Sequence, residues 1–378
     1  MSKQKRRDPI KVMLTWTLIL AVLAAGAFIG NRMLGEYRQN RLKDLQAEAI
    51  KLNEQEDQRY LAEQKALDDL INQPEAPKAE PTHATEGWDV VDMTGFSLKN
   101  ASVVTMLRSD VMNNGMLLVN EWHSRPEDFS EAALVSIGNY SGGKLQVDNY
   151  NLRLFPVAID AYRAAVEDAA AQGLSNYMVD GAYRSMDDQN ALFQKALDRY
   201  KDRYKGDELI AKAKKSVNYP GTSEFNSGLS FTVRLYKSGD AAVTGSNYVE
   251  TAEGKWMNEN CWRYGLIFRF PKADYPLPGT LDKSYKTGVS VSLDAYRYVG
   301  KGHAAVMHHL NLCMEEYVEF LQEHPYIAVY EDGVLRYEIV RQYVGDDAAS
   351  FNVTVTRNCK DYVTSMDNMG HVITVFEY

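Results

Sequence analysis

The sequence of 378 residues contains little cysteine and no excess of positive charge. Its three cysteines, Cys261, Cys313 and Cys359, cannot form a disulfide framework; at most one pair can form, and the alternative is three buried thiols that act as small apolar side chains. The chain carries 42 Lys and Arg against 51 Asp and Glu, a net charge of −9. Because nucleic-acid binding needs a basic surface that displaces counterions from phosphate, this balance argues against a nucleic-acid partner.

The N-terminus departs from this acidic balance. Residues 1–11 carry five Lys or Arg and one Asp, and the 19 residues 12–30 carry no charge. A helix of that length spans about 28 Å, close to the thickness of a bilayer core. The basic flank predicts a cytoplasmic tail, a single transmembrane helix over 12–30 and an extracytoplasmic main domain. The alternative is a cleavable signal peptide with its cleavage region at residues 24–27, although the apolar run exceeds the usual signal core.

A stalk and a linker are predicted after this segment. Residues 31–72 are rich in Glu, Gln, Lys, Leu and Ala, contain no proline and predict a long solvated helix. A heptad-like spacing begins there and then breaks, which favours weak self-association at most over a sustained coiled coil. The positions concerned are Leu42, Leu45, Ala49 and Leu52, followed by Glu56 and Arg59. Residues 73–87 are Pro-rich and predict an extended linker.

The most informative segment is Pro-Gly-Thr-Ser-Glu-Phe-Asn-Ser-Gly-Leu-Ser-Phe-Thr-Val at residues 220–233. It resembles the signature of VanY-type D-alanyl-D-alanine carboxypeptidases of the LAS superfamily of zinc peptidases. In that signature, Ser-x-His is followed after two residues by Gly and then by an Asp, and the resemblance implies that the His and the Asp bind zinc. Ser223 and Gly228 are in register with it, but Phe225 takes the His position and Thr232 the Asp position.

Further elements of the same family follow in the same order over residues 115–325, which makes the resemblance specific. They are Leu117-Leu-Val-Asn120, Tyr183-Arg184-Ser185 with Gln189, Trp256, Tyr264-Gly-Leu-Ile-Phe-Arg-Phe-Pro271, Tyr296-Arg-Tyr-Val-Gly300 with His303-Ala304, and Met314-Glu-Glu-Tyr317. Aligned on Gly300, Ala295 stands where the family has its second zinc-binding His, and Ser292 where it has the Glu that acts as general base.

The resemblance therefore implies the frame of a zinc peptidase with the ligand and base positions changed. A catalytic zinc needs about three protein ligands and an open position for water, so the sequence predicts no bound metal and no hydrolysis. The alternative is an active carboxypeptidase with a displaced metal or a metal-free mechanism. The sequence predicts one long helix from Lys301 to about Glu323. His309 and Cys313, four residues apart on it, would share a face as two ligands, but no third ligand is evident from the sequence.

A binding site is predicted to remain at Arg184, Ser185, Gln189 and Ser223. The resemblance implies that these residues line the substrate cleft and that Arg184 faces the peptide. The planar guanidinium suits a carboxylate, and peptidoglycan stem peptides ending in D-Ala-D-Ala carry one. The alternative is that Arg184 only stabilises the fold.

The predicted domains are a D,D-carboxypeptidase-like domain at residues 88–325 and a small β-rich extension at 326–378. Mixed helices and strands without βαβ regularity predict an α+β fold, an antiparallel sheet with flanking helices as in the D,D-carboxypeptidase/hedgehog-like fold. The sequence thus predicts a bacterial, membrane-anchored pseudoenzyme that binds peptidoglycan stem peptide or an envelope protein. The alternatives are the active carboxypeptidase and a structural protein of envelope assembly.

Overall fold

The computed structural model describes residues 41, 43, 47, 50–65 and 80–378. The predicted tail and transmembrane segment, residues 1–30, lie outside this part, as do residues 31–40 and 66–72 of the predicted stalk and residues 73–79 of the Pro-rich linker. Among the residues that are described, no helix is both long and apolar enough to cross a membrane. The chain divides into two compact units, 1–66 and 67–378, and in the first of these residues 50–65 form helix α1, within the segment predicted as a stalk.

The second unit contains ten α-helices, three short 3₁₀ helices and fourteen strands among the described residues. The helices are α2 (Arg108–Val111), α3 (Ile137–Tyr140), α4 (Pro156–Ala171), α5 (Met186–Tyr200), α6 (Gly206–Lys214), α7 (Ala241–Thr244), α8 (Ala252–Asn260), α9 (Ser284–Thr287), α10 (Lys301–His309) and α11 (Met314–Glu323). The strands are β1 (Trp88–Asp92), β2 (Ala101–Leu107), β3 (Val135–Ser136), β4 (Gln146–Val147), β5 (Arg153–Leu154), β6 (Tyr177–Gly181), β7 (Ser230–Leu235), β8 (Leu266–Phe268), β9 (Ala295–Tyr298), β10 (Tyr326–Glu331), β11 (Val334–Tyr343), β12 (Ser350–Thr356), β13 (Asp361–Met366) and β14 (His371–Glu377).

Two five-stranded sheets organise this unit. The first has the order β4-β6-β7-β9-β8 and is antiparallel except for the β4–β6 pair, and the second, β1-β10-β11-β14-β13, is antiparallel throughout. Two short ribbons, β12-β2 and β3-β5, complete the strand pairing. The predicted α+β class with antiparallel sheets and helices is confirmed.

The segment predicted as a C-terminal extension takes its pairing partners from the start of the preceding region. Strand β10 pairs with β1, and β12 pairs with β2, so residues 88–107 and 326–378 share their sheets. The β10–β11 hairpin turns at Asp332 and Gly333, whose φ angles of 52° and 75° are those of the tight turn that matches strand twist. The sequence Glu-Asp-Gly at residues 331–333 is typical of such a turn.

The prediction of a single helix from Lys301 to about Glu323 is wrong. The structure has α10 and α11 instead, and Asn311 between them adopts a φ of 52°, which ends a right-handed helix. His309 and Cys313 therefore do not share a helix face. His309 stacks on Trp88 with ring centroids 4.5 Å apart, and Cys313 is the buried N-cap of α11.

The three cysteines are free thiols. Cys261 and Cys313 are buried, and burial raises the pKa of each to about 12. Neither is poised as a thiolate at neutral pH, since nucleophilic cysteines need a lowered pKa. The structure thus matches the alternative of buried thiols for Cys261 and Cys313, whereas Cys359 is only partly buried.

Candidate functional site

Strand register brings two of the changed positions together. Thr232 on β7 lies directly opposite Ala295 on β9, and opposed residues in an antiparallel pair have Cβ atoms about 4.5–5.5 Å apart. Phe225 lies on the short 3₁₀ turn Glu224–Ser227 that precedes β7, and its ring packs with Ala295 and Phe270 in one buried apolar cluster. The predicted ligand positions are therefore neighbours in the folded chain.

The fourth changed position, Ser292, lies three residues before β9. Its side chain is exposed, whereas Ala295 is fully buried. The partly buried Val289 and Leu293, on either side of Ser292, pack against the cluster around Phe225. An apolar cluster therefore occupies the place where the resemblance implies a metal and its base.

Hydrogen bonds between two loops fix the backbone around Phe225. The Arg184 main-chain N–H donates to the Phe225 carbonyl at 2.9 Å, and the Asn226 side-chain amide donates to the Arg184 carbonyl at 2.8 Å. The Asn226 amide oxygen accepts from the Gly221 N–H at 3.1 Å. Gly228 follows with a φ of 71°, and a Cβ there would lie 2.7 Å from the Phe155 ring. The turn is thus tightly defined and needs glycine at that point.

Arg184 is the only charged residue among the four predicted cleft residues, and its guanidinium contacts an aromatic ring. Its guanidinium carbon lies 4.3 Å from the centroid of the Phe225 ring. No hydrogen bond or ion pair links that guanidinium to another described side chain; the nearby Asp188 is bonded to Ser185. Burial lowers the pKa of Arg184 and Asp188 opposes this effect, but an Arg side chain stays charged at neutral pH.

The other three predicted cleft residues make structural contacts. The Ser185 hydroxyl accepts from the Asp188 N–H at 3.1 Å and donates to its carboxylate at 2.7 Å, which caps α5. Gln189 is 1% exposed, and its side-chain NH₂ donates to the Asn218 carbonyl at 2.7 Å. Ser223 is 2% exposed. The Ser185 and Gln189 side chains therefore hold the segment that directly follows Arg184.

Two carboxylates beside the site were not predicted from the sequence. The Thr232 hydroxyl donates to the Asp180 carboxylate at 2.6 Å, and the Tyr275 hydroxyl donates to Asp294. Burial raises the pKa of Asp294, and the charge of Asp180 raises it further. The only feature of the sequence that points to these two carboxylates is their position next to motif residues. Asp180 lies just before the Tyr-Arg-Ser element, and Asp294 directly precedes Ala295.

Comparisons with known proteins now place the chain. Residues 151–301 match the family model of VanY, D-alanyl-D-alanine carboxypeptidase. The chain is 30% identical over 206 residues to the putative carboxypeptidase YodJ of Bacillus subtilis, which covers 54% of this chain and 67% of that protein. The chain belongs to the VanY family.

Two further proteins extend the comparison. A D-alanyl-D-alanine carboxypeptidase of Enterococcus faecium is 27% identical to this VanY-family chain over 281 residues, or 74% of this chain and 80% of the relative. The crystal structure of the vancomycin resistance D,D-dipeptidase VanXYg, in complex with a D-Ala-D-Ala phosphinate analogue, superposes with a TM-score of 0.54 at 21% identity. It covers 73% of this chain and 99% of that one, and it shows a shared fold.

A buried network of four charges lies directly behind the site of this VanY-family chain. The Glu224 carboxylate accepts from Arg269 at 2.7 Å and from Arg297, and Arg269 binds Glu315 through two contacts of 2.7 and 3.0 Å. All four side chains are at most 8% exposed. Arg297 also donates to two main-chain carbonyls in residues 115–117, at 2.6 and 2.8 Å.

This network joins the Phe225 turn, β9, the segment after β8 and helix α11. Burial alone would raise the pKa of Glu224, but Arg297 and Arg269 together hold it at about 2. Arg269, Arg297 and Glu315 lie in segments that resemble the family, but the sequence does not predict that they meet. Two positive and two negative charges balance one another, and their contacts tie the Phe225 turn to β9, to the segment after β8 and to α11.

Proposed function

We propose that this VanY-family protein binds the D-Ala-D-Ala end of peptidoglycan stem peptides without hydrolysing it. The observation that carries the proposal is the pairing of Arg184 with Phe225. A cation that forms no ion pair with any described side chain lies over an aromatic ring, at the place where the family resemblance implies the catalytic metal.

The residues at the three implied ligand positions do not fit zinc. Phe225 and Ala295 offer no lone pair, and the Thr232 hydroxyl already donates its hydrogen to Asp180. A catalytic zinc site needs about three ligands of the His, Cys or carboxylate type. Within residues 80–378 and the described part of the stalk, no group of three or more such side chains is arranged to hold a metal ion. The proposal therefore includes no metal-dependent step.

The site does fit a carboxylate. The relatives are named D-alanyl-D-alanine carboxypeptidases, and a peptide that ends in D-Ala-D-Ala carries a terminal carboxylate. A guanidinium donates two parallel hydrogen bonds to such a group, and partial burial strengthens the attraction because water screens it less. Contact with the Phe225 ring holds the guanidinium in place and lowers the entropy lost on binding.

Removing Arg184 should abolish most of this affinity. We expect the wild-type chain to bind a D-Ala-D-Ala-terminated peptide without releasing D-Ala, and Arg184→Ala to bind it at least about tenfold more weakly, since a lost charged hydrogen bond costs about 1.5–3 kcal/mol. Calorimetric titration measures the affinity, and an amino-acid assay of the same samples measures D-Ala release.

Matched controls separate this effect from a general loss of charge. Arg203→Ala removes an exposed arginine and should leave the affinity unchanged. The same peptide with a C-terminal amide should bind wild type as weakly as the free acid binds Arg184→Ala. Release of D-Ala by the wild-type chain would refute the non-hydrolytic proposal. Equal affinity of wild type and Arg184→Ala would refute the assigned site.

We also propose that the protein is anchored in the bacterial membrane through residues 12–30 with its main domain outside. The basic flank of residues 1–11 and the uncharged run support this. Protease treatment of intact cells should digest the main domain, while the N-terminus of the protein should still begin at Met1. A mature N-terminus near Phe28 would show a cleaved signal peptide instead, and a protected main domain would refute the orientation.

A further inference from the structure

A pocket of about 670 Å³ lies apart from the Arg184 site, and its lining does not include Arg184, Phe225 or Ala295. One wall comes from strands β11, β13 and β14 of the C-terminal sheet, and the other from α4 and the connection between β9 and α10. Its volume lies within the range of about 300–1,000 Å³ typical of ligand sites. The family match ends at residue 301, so most of the sheet wall lies beyond the matched segment.

The sheet wall places two carboxylates directly opposite one another. Asp361 on β13 is the register partner of Glu377 on β14, whose other neighbour, on β11, is Tyr337. Like charges in opposed positions destabilise a sheet unless a cation neutralises them. Neither carboxylate forms an ion pair with a side chain in the described part of the chain, and both are exposed. The two carboxylates, with the Tyr337 ring beside them, are therefore complementary to a positive charge.

Next to the carboxylates the pocket becomes apolar. Val363 and Val375, two residues further along the same strands, also oppose each other and line the pocket. Val157, Ala161 and Ala164 on α4 face the pocket from the other wall, at the spacing of one helix face. These side chains form an apolar strip that suits a methylene chain, and the carboxylates of Asp160, Glu167 and Asp168 on α4 lie beside it.

A buried histidine also lines this space. His303 is 3% exposed, and its Nδ1 is hydrogen-bonded to the Tyr317 hydroxyl at 2.8 Å. Its other ring nitrogen has no hydrogen-bond partner among the residues that the structure places. Burial lowers the pKa of His303 to about 3, so the ring is neutral at physiological pH. The lining then holds five Asp or Glu against two Lys or Arg, a net charge of −3, which argues against an anionic ligand.

We propose that this pocket binds a lysine side chain of a peptide or protein partner. Its ammonium would lie between Asp361 and Glu377 beside the Tyr337 ring, and its four methylenes would lie along Val363, Val375 and α4. Long cationic side chains bury their stems on apolar surface in this way, with their charge near carboxylates and aromatic faces. This inference is independent of the function proposed for the Arg184 site.

Ligand-observed saturation-transfer NMR on the purified full chain tests it, with Nα-acetyl-L-lysine methylamide as the probe. We expect saturation of the probe's methylenes and at least about a tenfold loss of affinity in Asp361→Asn/Glu377→Gln, since two charged contacts are lost. Glu323→Gln removes an exposed carboxylate outside the pocket and should change nothing. Ala164→Trp fills the pocket from the opposite wall and should also abolish binding.

The norleucine analogue of the probe has the same stem length but no charge and should bind at least about tenfold more weakly. Equal binding of the two probes, or unchanged binding by both pocket variants, would overturn the proposal. So would the absence of lysine-probe binding to the wild-type chain. Because the pocket variants leave Arg184 intact, their affinity for a D-Ala-D-Ala-terminated peptide should match that of wild type.

Discussion

Glu224→Gln is expected to lower the free energy of unfolding by about 3–5 kcal/mol. The substitution leaves Arg269 and Arg297 buried without their shared counter-ion, and breaking one side of a buried ion pair costs about this much. Chemical denaturation of wild type and variant measures the difference. The slope of the free energy of unfolding against denaturant concentration should be the same for both.

Two controls make this test specific. Glu319→Gln removes the partner of Lys286 at an exposed pair and should cost less than about 1 kcal/mol. The difference in free energy of unfolding between wild type and Glu224→Gln should also depend on pH. The folded-state pKa of Glu224, about 2, lies below its ordinary value of 4.5, so its contribution is complete above pH 4.5 and is lost as the pH falls toward 2.

The size of that pH-dependent part follows from the two pKa values. The difference between 4.5 and about 2 corresponds to about 3 kcal/mol. If the stability difference between wild type and Glu224→Gln stays constant from pH 5 to pH 2, the ionised Glu224 is not the source of the stabilisation.

The second large effect is zinc uptake by a variant with the family's ligands. We expect wild type to hold no stoichiometric zinc, and Phe225→His/Thr232→Asp/Ala295→His to bind zinc weakly, about one ion per chain at saturation. Positions 232 and 295 are register partners and position 225 packs on 295, so three donors would converge. Equilibrium dialysis with elemental analysis measures the uptake.

Zinc should also restore stability to this triple variant. Polar groups placed in the apolar cluster cost about 1–3 kcal/mol each, and the new carboxylate at position 232 would meet the Asp180 carboxylate, which already pairs with Arg234 at 3.5 Å. Metal binding to the folded state should therefore raise the variant's midpoint of thermal unfolding and leave that of wild type unchanged. A double variant without Ala295→His should take up less zinc.

Adding Ser292→Glu to the triple variant should still give no useful turnover. Asp180 and Arg184 are positioned for the present residues and would not orient the new ligands, whose supporting contacts matter for activity. A normally folded triple variant without any zinc uptake would contradict the placement of these positions. Stoichiometric zinc in wild type, with D-Ala release that a chelator blocks, would instead show an active enzyme.

Sequence patterns were sufficient to predict structure where neighbouring residues determine it. The element at residues 183–189 contains its own helix cap, and the turn at Asp332 and Gly333 is encoded by two adjacent residues. Long-range contacts were not predictable in this way. The break at Asn311 was missed because the flanking residues favour helix on both sides. The charge network was missed because Glu224, Arg269 and Arg297 meet only across strands.

The sequence by itself determined the family, the α+β class and the identity of the residues at the changed positions. Residue types and their order along the chain are sufficient for that, because a phenyl ring or a methyl group cannot bind a metal in any fold. Only the tertiary structure decided which of these residues meet. The β7–β9 register places Thr232 against Ala295, and the turn before β7 brings Phe225 onto them and under Arg184. Strand pairing fixes such neighbours through hydrogen bonds between distant segments, and no local pattern contains that information.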